Sequence, residues 1–241
     1  MTDADAAPCS VGVVVVAAGS GTRLGAGLPK AFVPLAGRPL LGHAVATVTR
    51  LPGLRALVVV APADLNDPGA PEWAGVHLPP DAVVVAGGAS RTDSVAAGLA
   101  AVGEVDVVLV HDAARCLTPL AVFERVVEAV RAGAAGAVPG IPLVDTVKTV
   151  DATGVITGTP DRASLRAVQT PQGFGREVLV AAYRSGLAAT DDAALVELAG
   201  HHVVVVEGDP LAFKVTTRDD LEHAERVLAE RAGPAAAGLP D

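Results

Sequence analysis

Behind a first apolar run the chain reads Ala17-Ala18-Gly19-Ser20-Gly21-Thr22-Arg23-Leu24-Gly25, followed by Leu28-Pro29-Lys30. Glycines placed directly after a strand permit positive φ and let backbone N–H groups approach a phosphate closely. Arg23 can grip phosphate oxygens with its guanidinium fork, and Lys30 can add a compact point charge. Two standard readings of such a loop fail. A dinucleotide fingerprint needs glycine where Leu24 stands, and a Walker loop needs a lysine followed by Ser or Thr, whereas Lys30 lies between Pro29 and Ala31. An anion-binding loop and a solvated turn with incidental basic residues both remain open here. Composition favours the first. The chain has three lysines (Lys30, Lys148, Lys214) against fifteen arginines, so each lysine stands out from a surface decorated with arginine.

A second cluster, His111-Asp112-Ala113-Ala114-Arg115, follows a buried apolar run. Asp112 stands at the carboxyl end of that run, where doubly wound sheets place their ligands. A carboxylate there can coordinate Mg²⁺ or accept from hydroxyls, and it can equally form a structural ion pair with Arg115. His111 suggests acid–base work only weakly, because transfer from a triphosphate needs little proton chemistry. Gly87-Gly88-Ala89-Ser90 makes a tight turn before a helix, which ordinary capping would also explain. His201-His202 has no third ligand at metal spacing, Cys116 has no base to activate it, and Trp73 reads as loop packing.

The elements that must carry these residues are legible as alternating runs. Strands are expected at Val11–Ala17, Ala56–Val60, Ala82–Ala86, Val105–Val110, Gly136–Val138 and His202–Val206. Near-continuous apolar runs mark strands covered on both faces. Helices are expected at Pro39–Thr49, Ser90–Val102, Pro119–Arg131, Arg176–Ser185, Asp191–Ala199 and Asp219–Arg231, with Thr118 and Thr217 as candidate N-caps. This alternation predicts an α/β, single-domain, Rossmann-like and mostly parallel doubly wound sheet. The domain is expected over 1–232, with a flexible tail over 233–241. Between Pro142 and Val168 the alternation breaks into two strands, Val144–Val150 and Gly154–Thr159, around an Asp151–Gly154 turn. Such a hairpin, within a β-arm over 140–168, is marginal alone and needs a partner surface, for which a second subunit is the natural candidate.

Composition bounds the function. The net charge is −9 and aromatics make up 2% of the chain, which disfavours a nucleic-acid binder. The first ten residues carry no basic region, and no apolar run reaches the eighteen or so residues of a membrane helix. A cytoplasmic protein with no membrane partner is expected.

The glycine loop with Arg23 and Lys30 resembles the signature of sugar-phosphate and polyol-phosphate nucleotidyltransferases. Further segments narrow the resemblance: Gly87–Val95, Val110–Arg115, Asp145-Thr146-Val147-Lys148, Asp161-Arg162, Gln169-Thr170-Pro171-Gln172, Thr190-Asp191-Asp192, Val206-Glu207-Gly208 and Phe213-Lys214-Val215-Thr216. In this order they resemble the 2-C-methyl-D-erythritol 4-phosphate cytidylyltransferase family of the non-mevalonate isoprenoid pathway, from about Val13 to Leu228. The resemblance implies a homodimeric cytidylyltransferase using CTP, methylerythritol phosphate and Mg²⁺. It makes Arg23 and Lys30 catalytic, and puts CTP on Ala17, Ala18, Gly19, Gly21, Arg23, Lys30, Gly88, Ala89 and Ser94. Gly88 and Ser94 would border cytosine, with backbone around Ala89 selecting a pyrimidine. It implies substrate contacts from Asp112, Arg115, Thr146, Arg162, Thr170 and Lys214, with Asp112 a metal ligand unless CTP phosphates alone hold the ion. The arm would reach across the dimer, so that each site combines two chains. The nearest alternative is the same transfer to ribitol 5-phosphate or another polyol phosphate. A non-catalytic nucleotide-binding module is more remote, because Arg23, Lys30, Asp112 and Lys214 are all retained. An oxidoreductase is disfavoured by Leu24 and Lys30.

Overall fold

The computed structural model describes residues 9–21, 24, 27–70 and 73–232. Arg23 and the expected tail over 233–241 lie outside the described residues. The first strand, β1 (Val11–Val16), is a run of valines interrupted only by Gly12. It is followed by a small hairpin of β2 (Pro34–Leu35) and β3 (Arg38–Pro39), then α1 (Leu40–Val48) and β4 (Leu54–Ala61). Next come β5 (Val83–Ala86), α2 (Arg91–Ala101), β6 (Val107–Asp112), α3 (Leu120–Arg131) and β7 (Gly136–Pro142). The arm holds β8 (Thr149–Val150) and β9 (Ile156–Gly158), and the chain returns through β10 (Arg166–Val168) and β11 (Gln172–Gly175). It closes with α4 (Arg176–Arg184), α5 (Asp192–Leu198), β12 (Val203–Glu207) and α6 (Arg218–Ala232).

The main sheet runs β10-β7-β11-β6-β1-β4-β5, with β12 on β7. β1 lies at its heart, parallel to both β4 and β6. Valines of β1 alternate between two cores because successive side chains point to opposite faces. Val13 and Val15 meet α1 and α3 on one face, and Val14 meets α2, α4 and α5 on the other. This is the doubly wound arrangement expected from the strand and helix alternation.

The departure from a purely parallel sheet is β11, which is antiparallel to both β6 and β7. Sequence reading missed it because Gly173 and Gly175 are poor strand formers. Packing overrides propensity there. A Cβ on Gly173 would fall 2.4 Å from Val126 Cγ1, so only glycine lets this strand pass beneath α3, while Phe174 beside it is fully buried. β10, β2 and β3 were also missed, being two or three residues long.

The arm is extended and its paired strands are shorter than expected. Asp151 Oδ1 accepts from the backbone N–H groups of Thr153 and Val155 at 2.9 and 3.0 Å, which closes the expected turn. Val144, Val150, Val155 and Ile156 are exposed on it. Of the two candidate caps, Thr217 serves, accepting from the Asp220 N–H at 3.2 Å. Thr118 does not; its hydroxyl turns back to the Arg115 carbonyl at 2.7 Å. Among the described residues no helix is long and apolar enough to cross a membrane.

Candidate active site

The parallel strands β5, β4, β1 and β6 present their carboxyl ends to one side, and a cleft of about 420 Å³ opens there. Its walls are the loop after β1 (Ala17–Ser20), Lys30, the turn after β5 (Gly88–Arg91), Ser94, Asp112 and Lys214. The cleft therefore collects Ala17, Ala18, Gly19, Lys30, Gly88, Ala89, Ser94, Asp112 and Lys214 from the expected site, out of separate chain segments.

Absent side chains set its shape. Gly21 has φ +65°, and a Cβ there would fall 2.4 Å from Lys30 Cβ, so the glycine loop packs directly on the residue that carries the lysine. The Lys30 N–H reaches the Gly19 carbonyl at 3.3 Å and closes the loop. Lys30 opens a short 3-10 turn whose Phe32 is buried edge-on against Trp73, ring centroids 5.3 Å apart. Trp73 is thus packing, as expected, and its packing supports the turn that presents Lys30. On the opposite wall a Cβ on Gly87 would fall 2.4 Å from Ala18 Cβ, so the two loops meet with the Ala18 methyl against the bare backbone of Gly87. Ser94 Oγ accepts from the Gly88 N–H at 3.1 Å and donates to the Ser90 carbonyl at 2.9 Å. Ser90 and Asp93 form a capping box that starts α2. The turn is capped as ordinary capping would have it, and it also lines the cleft.

Asp112 ends β6 in the floor. Lys214 Nζ lies 2.7 Å from its Oδ2 and Arg91 Nε 3.7 Å from its Oδ1. Burial opposes ionisation, yet Lys214 and Arg91 hold the carboxyl below the usual carboxylate range. Arg91 also donates to Asp192 Oδ2 at 2.7 Å, and Tyr183 donates its hydroxyl to Asp192 Oδ1 at 2.5 Å. The backbone of the Lys214 segment is pinned to the Asp112 turn. Val215 N–H donates to the Ala114 carbonyl at 2.9 Å, and Arg115 donates to the Ala212 carbonyl at 2.6 Å.

Several expected contacts stand elsewhere. Arg115 spends its guanidinium on the carbonyls of Ala212 and Val168, clamping two loops together outside the cleft lining. Thr170 is buried; its Oγ1 accepts from the Asp112 N–H at 3.1 Å and meets His111 Nδ1 at 3.1 Å, which positions the floor. Thr146 and Arg162 lie exposed on the arm, where Arg162 donates to the Val144 carbonyl at 2.6 Å. Gly21 supports Lys30 from behind. His111 is fully buried against Phe123, and burial lowers its pKa to about 4, so it serves the core as a neutral ring. Burial pushes the Cys116 thiol up to about 12. Lys148 donates to Thr159 Oγ1 at 2.7 Å on the exposed face of the arm. Arg91, Asp192 and Tyr183 had no role in the sequence reading. Arg91 and Asp192 sat in quoted segments, but their pairing across 101 positions leaves no local signal.

A strand-end cleft with a glycine loop and lysines on both sides, on this sheet, defines an α/β protein of the nucleotidyltransferase type. Residues 11–230 match the family described as IspD, 2-C-methyl-D-erythritol 4-phosphate cytidylyltransferase. A protein of that name from Nocardia farcinica (strain IFM 10152) is 53% identical over 234 residues, 96% of this chain and 99% of that protein. One of the same name from Rhodococcus jostii (strain RHA1) is 48% identical over 221 residues, 91% of this chain and 95% of that protein. The crystal structure of 2-C-methyl-D-erythritol 4-phosphate cytidylyltransferase from Thermus thermophilus superposes with a TM-score of 0.73 at 36% identity, covering 91% of this chain and 99% of that one. The chain belongs to the 2-C-methyl-D-erythritol 4-phosphate cytidylyltransferase family.

Proposed function

We propose that the chain transfers CMP from CTP to 2-C-methyl-D-erythritol 4-phosphate, giving 4-diphosphocytidyl-2-C-methyl-D-erythritol and pyrophosphate for isoprenoid precursor synthesis. One observation carries the reading within the molecule: two of its three lysines, Lys30 and Lys214, line the same cleft as the glycine loop. Two anionic ligands need two separate cations, and the chain places its scarce lysines there.

A phosphate oxygen of the polyol ester attacks the α-phosphorus of CTP in line. The bond to the bridging oxygen breaks, and its electron pair leaves with pyrophosphate. A phosphate monoester needs no base to act as nucleophile, which suits a cleft whose neighbouring histidine is sealed in the core. Lys30 and Arg23, with loop N–H groups, stabilise charge on the α-phosphate through preorganised electrostatics. Gly88 and Ser94, bonded to each other, border the base, and backbone groups around Ala89 select a pyrimidine. Lys214 takes the polyol phosphate, and Asp112 accepts from substrate hydroxyls.

Among the described residues no group of three or more His, Cys, Asp or Glu could hold a metal ion. Asp112 is the one carboxylate among the described residues lining the cleft, so the residues fit a Mg²⁺ held chiefly by CTP phosphates with Asp112 as its protein ligand. Such an ion supplies charge neutralisation on the triphosphate oxygens.

Thr146 and Arg162 then act on a second copy of the chain, the arm crossing a homodimer. The exposed Val144, Val150, Val155 and Ile156 on a thin hairpin support that arrangement. A cytoplasmic location fits the unpaired Cys9 and Cys116. The test is pyrophosphate release from CTP with a panel of polyol phosphates. Methylerythritol phosphate should be turned over well above the rest; release with ribitol 5-phosphate at an equal or higher rate would overturn the substrate.

A further inference from the structure

Asp112 is paired with two cations whose tethers differ. Lys214 approaches Oδ2 with a side chain that is 41% exposed. Arg91 approaches Oδ1, and its far end is fixed by Asp192, whose side chain is wholly buried. Asp192 opens α5 directly behind its N-cap Asp191, and Gln172 of β11 donates to Asp191 at 2.8 Å. The anchor is therefore built into two elements of the scaffold. Charge alternates along the row Asp192, Arg91, Asp112, Lys214. Withdrawing Arg91 would leave Asp192 a buried carboxylate without an ion-pair partner, with the Tyr183 hydroxyl as its remaining side-chain donor, an unfavourable state for such a group. Withdrawing Lys214 strands nothing, because Asp112 keeps Arg91.

An anionic substrate entering the cleft competes with Asp112 for the Lys214 ammonium. We propose that Arg91 is a positioning residue of the transfer: anchored on Asp192, it stays with Asp112 and balances it while Lys214 turns to the phosphate of the second substrate. Arg91 thereby releases Lys214. The inference rests on the reading of the cleft as a polyol-phosphate cytidylyltransferase site.

Without Arg91, Lys214 is the one ion-pair partner left to Asp112 among the described residues and is held back from the substrate. Arg91→Gln is expected to weaken calorimetric binding of methylerythritol phosphate, and to raise its KM, by about tenfold, the scale of coupling between groups in one charge network. The KM for CTP should move by less than about threefold, since the Arg91 guanidinium is spent on Asp192 and Asp112 although its backbone belongs to the nucleotide turn. In an Asp112→Asn background the competing charge is gone, so the Arg91→Gln penalty should fall to about threefold or less. Asp192→Asn keeps the shape and loosens the anchor; it should shift methylerythritol phosphate binding in the same direction. It also carries the test should Arg91→Gln fold poorly by circular dichroism. Unchanged methylerythritol phosphate binding in both folded variants would overturn the proposal. So would penalties that add in the double variant, or an equal loss of CTP affinity. If the wild-type protein neither binds nor turns over methylerythritol phosphate, the functional reading fails instead.

Discussion

Replacing Gly21 by alanine tests whether the glycine loop sets the position of Lys30. Gly21 sits at φ +65°, where an L side chain costs about 1–2 kcal/mol. The new Cβ would fall 2.4 Å from Lys30 Cβ and 2.9 Å from its Cα and backbone N. These atoms belong to the main chain or its first branch, so no rotamer change relieves the clash. Ordinary carbon contact requires the two segments to part by roughly 1 Å. The long bond from the Lys30 N–H to the Gly19 carbonyl, at 3.3 Å, is the contact placed to give. A displacement of that size at a catalytic group lowers turnover on the order of 10²-fold. The core is untouched, so the thermal midpoint should fall by only about 2–8 °C. The assay is pyrophosphate release at saturating CTP and methylerythritol phosphate, beside thermal unfolding followed by circular dichroism. Turnover within about threefold of wild type, with the midpoint lowered as stated, would refute the claim that this contact places Lys30.

Lys30→Ala should fold, by circular dichroism, and should lose about 10²–10³ in turnover; near-normal turnover would sink the role. Thr170→Val should cost about 1–3 kcal/mol in urea unfolding by orphaning the Asp112 N–H, and Thr170→Ser should restore most of it. Cys116, buried and with its thiol pushed up to about 12, should resist an aromatic disulfide reagent in the native protein and react in guanidinium; prompt native labelling at Cys116 would contradict its burial. Lys30→Ala and Arg162→Ala subunits, each inactive alone, should recover activity when refolded together if the arm completes a neighbour's cleft. No recovery would make the site self-contained.

The strands that carry the cleft were legible because β1, β4 and β6 are apolar on both faces and leave few other readings. The glycine loop, Lys30 and Asp112 stood out by residue type and place in the chain, while the Gly88 turn and Lys214 entered through the family resemblance; the fold brings them to one cleft. What escaped depends on distance in the chain or on packing. β11 is a strand because Gly173 fits under Val126, a fact about α3 that no local propensity holds. The family resemblance gave Arg115 and Thr170 as substrate contacts; what it could not show is that Arg115 donates to the Ala212 carbonyl and that Thr170 holds the Asp112 N–H and meets His111, partners remote in sequence. Arg91 was hidden for the same reason, its anchor lying 101 positions away.

The sheet and the cleft are finished at different moments of synthesis. β12, the last strand among the described residues, ends at Glu207, so the strands described all precede Lys214. The glycine loop, the Gly88 turn and Asp112 precede it by far more. A nascent chain halted at Glu207 holds every strand of the described residues and most of the cleft lining, yet lacks Lys214. The Ala114 carbonyl and the Arg115 side chain then serve as a template on which the late segment docks. Closing the sheet and closing the cleft are thus separated, in the order of translation, by one short loop.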